Sequence, residues 1–246
     1  MNIYAVIIGT EILNGRRVDK HFEFLKNTLL KNGYELYASF IIKDEEKLIT
    51  DIYQMIKNDS DSVMFSFGGI GSTPDDLTRE IASKVFRNSK PQRHQEFYET
   101  IIKKFQQEAF PHRIRMADLP PDSKLLKNPI NNMSGFYLDD RYFFMPGFPQ
   151  MSHPMVEDIL NDILGKNIKK HRLTLKAQTS ENSLISLMQQ TPKEIELSSL
   201  PILTQEKKEV ELSLASYDLQ TLQKEFDKYI SFLKKQNIPF EIYEKG

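Results

Sequence analysis

Two hydrophobic rhythms alternate along the N-terminal part of the chain. The run IYAVIIG (residues 3–9) is apolar without interruption, as in a strand buried on both faces of a parallel sheet. Val18, Phe22, Leu25 and Leu29 then keep helical spacing, and Gly33 after Asn32 supplies a left-handed stop. YELYASFII (34–42) predicts a second strand, Leu48, Ile52 and Ile56 a helix opening after Asp44, and SVMFSF (62–67) a third strand. Leu77, Ile81 and Val85 mark the next helix, so strands and helices alternate in the crossover order of a right-handed parallel sheet. Phe97, Ile101 and Phe105 share a face of a further helix, whereas PHRIRMADLPPDSK (111–124) is too rich in proline and charge to be regular. GFYLDDRYFFM (135–145) reads as a hairpin turning on Asp139 and Asp140, with Arg141 next. PGFP (146–149) breaks it before a last helix carrying Met155, Ile159 and Leu160.

The pattern changes after LGKNIKKH (164–171), a polar, basic joint, which predicts one domain over residues 1–167 and a second over 168–246. RLTLKA alternates as a strand, Leu184, Leu187 and Met188 make a helix face, EIELSS and EVELSLAS alternate again, Leu219, Leu222, Phe226 and Leu233 line a long helix, and FEIYE closes. That βαββαβ order is a ferredoxin-like split unit, a small α+β domain with one solvated sheet face. It carries no cluster of catalytic residue types, so packing or association is the role expected of it.

Composition adds exclusions. At 246 residues, with 39% hydrophobic and 27% charged residues, the chain is an ordinary globular protein with room for a sizeable core. Its 33 basic and 34 acidic residues leave a formal charge of −1, so no global field draws it to nucleic acid or an anionic membrane. Zero cysteine excludes disulfides, thiolate metal sites and cysteine nucleophiles. The start MNIYAVIIGTEI reads as a first strand rather than a signal peptide, and no apolar run reaches the roughly 20 residues of a membrane span. A cytoplasmic protein is expected. The five histidines, His21, His94, His112, His153 and His171, lack i, i+4 pairing, which argues against zinc.

The candidate chemistry lies in FSFGGIGSTPDDLT (65–78), where Gly68, Gly69 and Gly71 spend three of the chain's ten glycines between a strand and a helix. Glycines there allow a tight turn, and the exposed amides of such a bend attract phosphate. Neither the G-x-G-x-x-G dinucleotide pattern nor a G-K-[ST] P-loop is completed. Thr73 as N-cap, Pro74 at the first helical position and Asp76 three after the cap compose a helix start with an acidic capping partner. The same Asp75 and Asp76 beside a phosphate would repel it unless a divalent cation bridged them. Capping and metal-assisted phosphate chemistry therefore both remain open on the residues alone.

IIGTEILNGRRVDKH, GGIGSTPDDLTRE, MADLPPDSKLLKNP and MPGFPQMSHPM together resemble the molybdopterin-binding-type domain of the CinA-like competence/damage-inducible proteins, over about residues 1–165. That domain is related to the pterin-processing proteins of molybdenum-cofactor synthesis and to the hydrolase-type domain fused to some FAD synthases. The tail resembles the small α+β domain that follows in CinA-like proteins. A nicotinamide-mononucleotide amidase domain ends the longer members, and the chain is expected to lack one.

The resemblance implies a three-layer α/β domain with a mostly parallel sheet. A ligand phosphate would sit at Gly68, Gly69, Gly71, Ser72 and Thr73, with Asp75 and Asp76 holding magnesium, manganese or cobalt. Asp44 and Glu11 match acidic positions that would act with them in catalysis, although a helix N-cap also explains Asp44. Gly15 and Arg16 would lie near the pocket, as would Ser134, Gly135, Pro146, Gly147 and Pro149. Arg113 and Arg115 could reach a second phosphate or stay on the surface. Ser72 stands where proline is usual, Asn131, Asn132 and Met133 replace a smaller segment, and Met151 stands where glutamate is frequent.

The implied function is a metal-dependent nucleotide pyrophosphohydrolase acting on ADP-ribose-like or FAD-like substrates. The alternatives are molybdopterin binding, adenylyl transfer in cofactor synthesis, or a non-catalytic scaffold. The partner is a small nucleotide or pterin phosphate, and a homo-oligomer is expected.

Overall fold

The computed structural model describes residues 1–203 and 208–243, and the chain divides between Asn167 and Ile168 into two compact units. In the first, the described elements run β1 (Asn2–Ile8), α1 (Thr10–Leu13), α2 (His21–Lys31), β2 (Leu36–Ile42), α3 (Glu46–Asn58), β3 (Ser62–Phe67), α4 (Thr78–Arg87), β4 (Gln92–Arg93) and α5 (Gln95–Phe105). They continue as β5 (Asp118–Leu119), β6 (Lys124–Leu126), β7 (Gly135–Leu138), β8 (Tyr142–Met145) and α6 (Pro149–Asp158). The six-stranded sheet has the order β2-β1-β3-β8-β7-β6. Its first four strands are mutually parallel, while β7 and β6 add on antiparallel.

The uninterrupted apolar run of β1 belongs in the middle of this sheet because both its faces are covered. Tyr4, Val6 and Ile8 join one core with Ile49 and Tyr53 of α3, Ile81 of α4 and Ile101 of α5. Ile3, Ala5 and Ile7 join the other with Leu25 and Leu29 of α2 and Met155 and Val156 of α6. Helices on both faces make the three-layer α/β unit expected from the alternation. β2, at the sheet edge, instead alternates between half-buried and exposed positions, with Tyr37 and Ile41 facing water.

The β7–β8 hairpin, with Leu138 paired to Tyr142, turns at Asp139 and Asp140, both at positive φ (55° and 52°), and the Arg141 amide closes the turn on the Leu138 carbonyl (3.0 Å). Arg141 then ties β8 to β3, donating to the carbonyls of Ser62 (2.9 Å) and Asp59 (3.2 Å). Three local expectations are corrected. α2 starts at His21, leaving Val18 84% exposed outside it, because Asp19 accepts the amides of His21 and Phe22 and so stops the helix there. The irregular stretch 111–124 contains a 3-10 turn (Arg113–Ala117) and β5, paired to β4. α4 begins at Thr78, five residues after the Thr73 cap expected for it.

The second unit comprises β9 (His171–Ala177), α7 (Ile185–Met188), β10 (Glu196–Leu203), β11 (Lys208–Ser216), α8 (Leu219–Lys235) and β12 (Phe240–Tyr243). Its antiparallel sheet has the order β10-β11-β9-β12, which is the split βαββαβ arrangement. Leu175, Leu212, Leu222, Phe226 and Tyr229 form its own core. The predicted helix around Leu184 and Leu187 is a single turn of α-helix, preceded by a 3-10 turn at Glu181–Ser183.

Candidate functional site

Parallel strands point their carboxyl ends to one edge of a sheet, and ligands of open α/β sheets bind beyond that edge. Here β1, β2, β3 and β8 end at Ile8, Ile42, Phe67 and Met145, and a cleft of about 540 Å³ opens beyond them. It brings together Glu11, Asp44, Gly68, Gly69, Gly71, Ser72, Thr73, Asp75, Asp76, Ser134, Pro146 and Gly147 from five separate segments.

The glycine bend has a packing reason at each glycine. Gly68 and Gly69 lie at φ 101° and 68°, and a Cβ would strike the Ile8 carbonyl at Gly68 and the Thr78 hydroxyl at Gly69. Thr78 is fully buried and clamps the bend, its hydroxyl donating to the Gly68 carbonyl (3.0 Å) and its amide to that of Gly69 (3.0 Å). Burial of Thr78 against the glycine bend thus fixes the start of α4 there.

Residues 73–76 form a separate turn closed by the Asp76 amide on the Thr73 carbonyl (3.1 Å). Asp76 serves this turn rather than a helix cap. Oδ1 accepts the Gly71 amide (2.8 Å), and Oδ2 accepts the Thr73 amide (2.7 Å) and hydroxyl (2.6 Å). The carboxylate occupies two of the amides a phosphate would use. Those of Gly69, Ile70 and Ser72 make no hydrogen bond among the described residues. Asp75 lies below the usual carboxylate range through the Thr73 hydroxyl and its own amide. That hydroxyl has one proton and sits 2.6 Å from Asp76, so the neighbouring carboxylates share it.

Asp44 is not a helix N-cap. Its Oδ2 accepts both the amide and the hydroxyl of Thr10 (2.8 Å each), joining the end of β2 to the start of α1, while Glu45 precedes α3. Glu11 faces the cleft with Arg17 3.9 Å away. Gly15 does not reach the cleft: it turns at φ 79° with open space around it, and Arg16 bonds Asn14 on the exposed surface. Gly135 is buried in β7, where a Cβ would meet the Phe144 carbonyl, so it serves packing. Gly147 approaches the bend, its carbonyl accepting from His21 Nε2 (3.3 Å).

His21 stacks on Phe67 and meets His153 edge-on, and His153 stacks on Phe24. His21 Nδ1 and His153 Nε2 are buried without partners. Burial lowers the pKa of both; for His153, aided by the nearby His21 charge, to about 4.

Of the remaining wall, Arg113, Met133 and Met151 stand out in the sequence, whereas Ile8, Arg17, Met116 and Phe148 do not. Ile8, Phe97, Phe105, Met116, Met133, Phe148 and Met151 supply its apolar part, while Arg17 and Arg113 supply cations. Arg113 lies over the Phe105 ring (4.2 Å) and pairs with Glu108 (3.0 Å). Phe97 and Phe105 were visible only as a helix face, since spacing marks burial but not the cavity it borders. Met151 places a thioether in the cleft, 3.6 Å from the Asn131 amide.

Two of the carboxylates a dication would use are partly engaged within the chain. Asp76 has committed three acceptor positions to its own turn and Asp44 two to Thr10. Among the described residues no group of three or more His, Asp or Glu side chains is placed to hold a metal ion. No described helix is long and apolar enough to cross a membrane.

Residues 4–166 match the family described as probable molybdopterin binding domain. Over 183 residues the chain is 28% identical to a CinA-like protein of Citrifermentans bemidjiense, covering 72% of this chain and 44% of that one. Another CinA-like protein, from Nostoc punctiforme, is 28% identical over 165 residues, covering 64% and 39%. The chain thus spans less than half the length of either relative. Among solved structures, the protein CinA of Thermoplasma acidophilum superimposes with a TM-score of 0.60 at 28% identity, covering 66% of this chain and 97% of that one.

Proposed function

The chain belongs to the molybdopterin-binding-type domain family through residues 4–166, and on that footing we propose that its cleft binds a small phosphorylated ligand of the pterin or nucleotide class. One observation carries the reading. A single cleft joins spare amides on a glycine bend to two arginines and to a wall of phenylalanine and methionine side chains. Amides and guanidinium groups suit phosphate oxygens, and the apolar wall suits a flat heteroaromatic ring. Glu11, beside Arg17, and Asp75 are the cleft carboxylates left to meet a ring N–H, since Asp44 and Asp76 hold backbone.

Equilibrium dialysis of the full chain against a pterin monophosphate, ADP-ribose and FAD tests this. Saturable binding of one of them is expected, weakened about tenfold in Arg17→Gln, because a charge-assisted hydrogen bond is worth roughly 1.5–3 kcal/mol when shielded and less at a half-open site. Absence of saturable binding of all three sinks the proposal. The same mixtures with magnesium, manganese or cobalt test turnover. AMP formed by wild type and lost in Asp76→Asn would replace simple binding with pyrophosphohydrolysis.

A further inference from the structure

Behind the Ser72–Asp76 turn, on the side away from the glycine bend, lies a second cleft of about 720 Å³ between α3, α4 and the segment around Arg115. Its floor holds Arg79, 7% exposed, whose Nη1 donates to the Ile70 carbonyl. Arg79 Nε and Nη2 have no hydrogen-bond partner among the described residues, yet neither is sealed from solvent. A guanidinium has five donors in a rigid fork, and a buried one with most of them unspent is costly unless something outside the chain accepts them.

The surroundings strengthen that requirement. Arg115 and Lys90 line the same cleft without an ion-pair partner among the described residues. Burial is the main influence disfavouring the Arg79 charge; Asp76 and Asp118 favour it across the cleft, and Arg115 opposes it by repulsion. Four carboxylates also line the cleft, but three are engaged: Glu46 with Lys84 (3.6 Å), Asp118 with Arg93 (2.6 Å) and Asp76 with its turn. Asp76 bonds only uncharged groups and keeps its charge, so it and Glu80 together stand against Arg79, Arg115 and Lys90. The uncommitted charge is positive.

We infer that this cleft is a second anion site, in which Arg79, Arg115 and Lys90 hold a phosphate group separate from any ligand in the cleft beyond the sheet. A planar fork on the floor suits two phosphate oxygens at once, and Arg115 and Lys90 at the rim neutralise the rest. Free pyrophosphate and the diphosphate of a nucleotide offer the same chemistry. The inference does not depend on the pterin or nucleotide reading of the first cleft, although Ser72, Thr73 and Asp76 border both.

The test is calorimetric titration of the full chain with sodium pyrophosphate at low ionic strength, followed by ADP. Wild type is expected to bind pyrophosphate saturably. The doubly substituted chain, Arg115→Gln with Lys90→Gln, should bind at least tenfold more weakly, while Lys234→Gln, on the exposed surface of α8 and lining neither cleft, leaves this binding unchanged. Both rim residues are exposed, so the fold is spared. Arg79→Lys, which keeps charge but loses the fork, should also weaken binding; if it does not fold, the rim pair decides. ADP competing with pyrophosphate identifies a nucleotide diphosphate as an accepted source, and ADP without competition identifies the free anion. Unchanged affinity in the rim pair, or loss seen only in Arg17→Gln of the first cleft, overturns the second site.

Discussion

Replacing Asp76 by asparagine separates a carboxylate that holds its own turn from one reserved for a ligand. Asp76 accepts three hydrogen bonds, from the amides of Gly71 (2.8 Å) and Thr73 (2.7 Å) and from the Thr73 hydroxyl (2.6 Å). An asparagine can aim its one oxygen at the Thr73 pair, and its NH2 group then faces the Gly71 amide. One charge-assisted bond is lost at about 1.5 kcal/mol, the low end for a half-buried group, and two are weakened by roughly 0.5 kcal/mol each, near 2.5 kcal/mol in all. At about 2–4 °C per kcal/mol for a unit of this size, the melting temperature should fall by roughly 5–10 °C.

Differential scanning calorimetry of the full chain reads this on the transition of the first unit. Thr73→Val supplies the control: it should cost about 1 kcal/mol alone and measurably less with Asp76→Asn, since the residues share bonds. An Asp76→Asn melting temperature within about 1 °C of wild type, or strict additivity with Thr73→Val, would refute the stapling role.

Glycine substitutions should split by surroundings rather than by backbone angle. Gly69→Ala adds a collision with the clamping Thr78 hydroxyl to left-handed strain and should cost more than about 2 kcal/mol in urea denaturation, whereas Gly15→Ala, in open space, should cost only the left-handed penalty of about 1 kcal/mol. Equal losses at the two positions would refute that distinction. Stability should also fall as pH drops from about 6.5 towards 4. In that window the unfolded chain protonates His153, while the folded chain, with its pKa lowered to about 4, resists the proton. His21, likewise lowered by burial, adds to the same slope, and His153→Phe, which keeps the stack on Phe24, should flatten it. An unaltered pH slope in that variant would assign the acid loss to other groups.

Much of the architecture follows from chain pattern alone. An uninterrupted apolar strand such as Ile3–Ile8 is soluble only when both its faces are covered, so β1 had to lie inside a layered sheet. Asp139 and Asp140 tolerate positive φ, so the β7–β8 turn was legible from two letters. The strand-to-helix bend with its glycines was equally visible, as was its neighbourhood to Pro146 and Gly147 through the family motifs.

Tertiary structure decided what those motifs do. Thr73 with Asp76, and Thr78 five residues on, offer the backbone comparable local starts for α4, and burial of Thr78 beneath the Gly68 carbonyl selects the second. That choice turns Asp76 from helix cap into the acceptor of loop amides. Arg113 and Arg115, two positions apart in a 3-10 turn, line different clefts, a separation no sequence spacing specifies. Local pattern fixes which hydrogen bonds a segment can make. Which of them it makes is set by burial against strands distant in the chain, where an unpaired polar group costs more than any local preference.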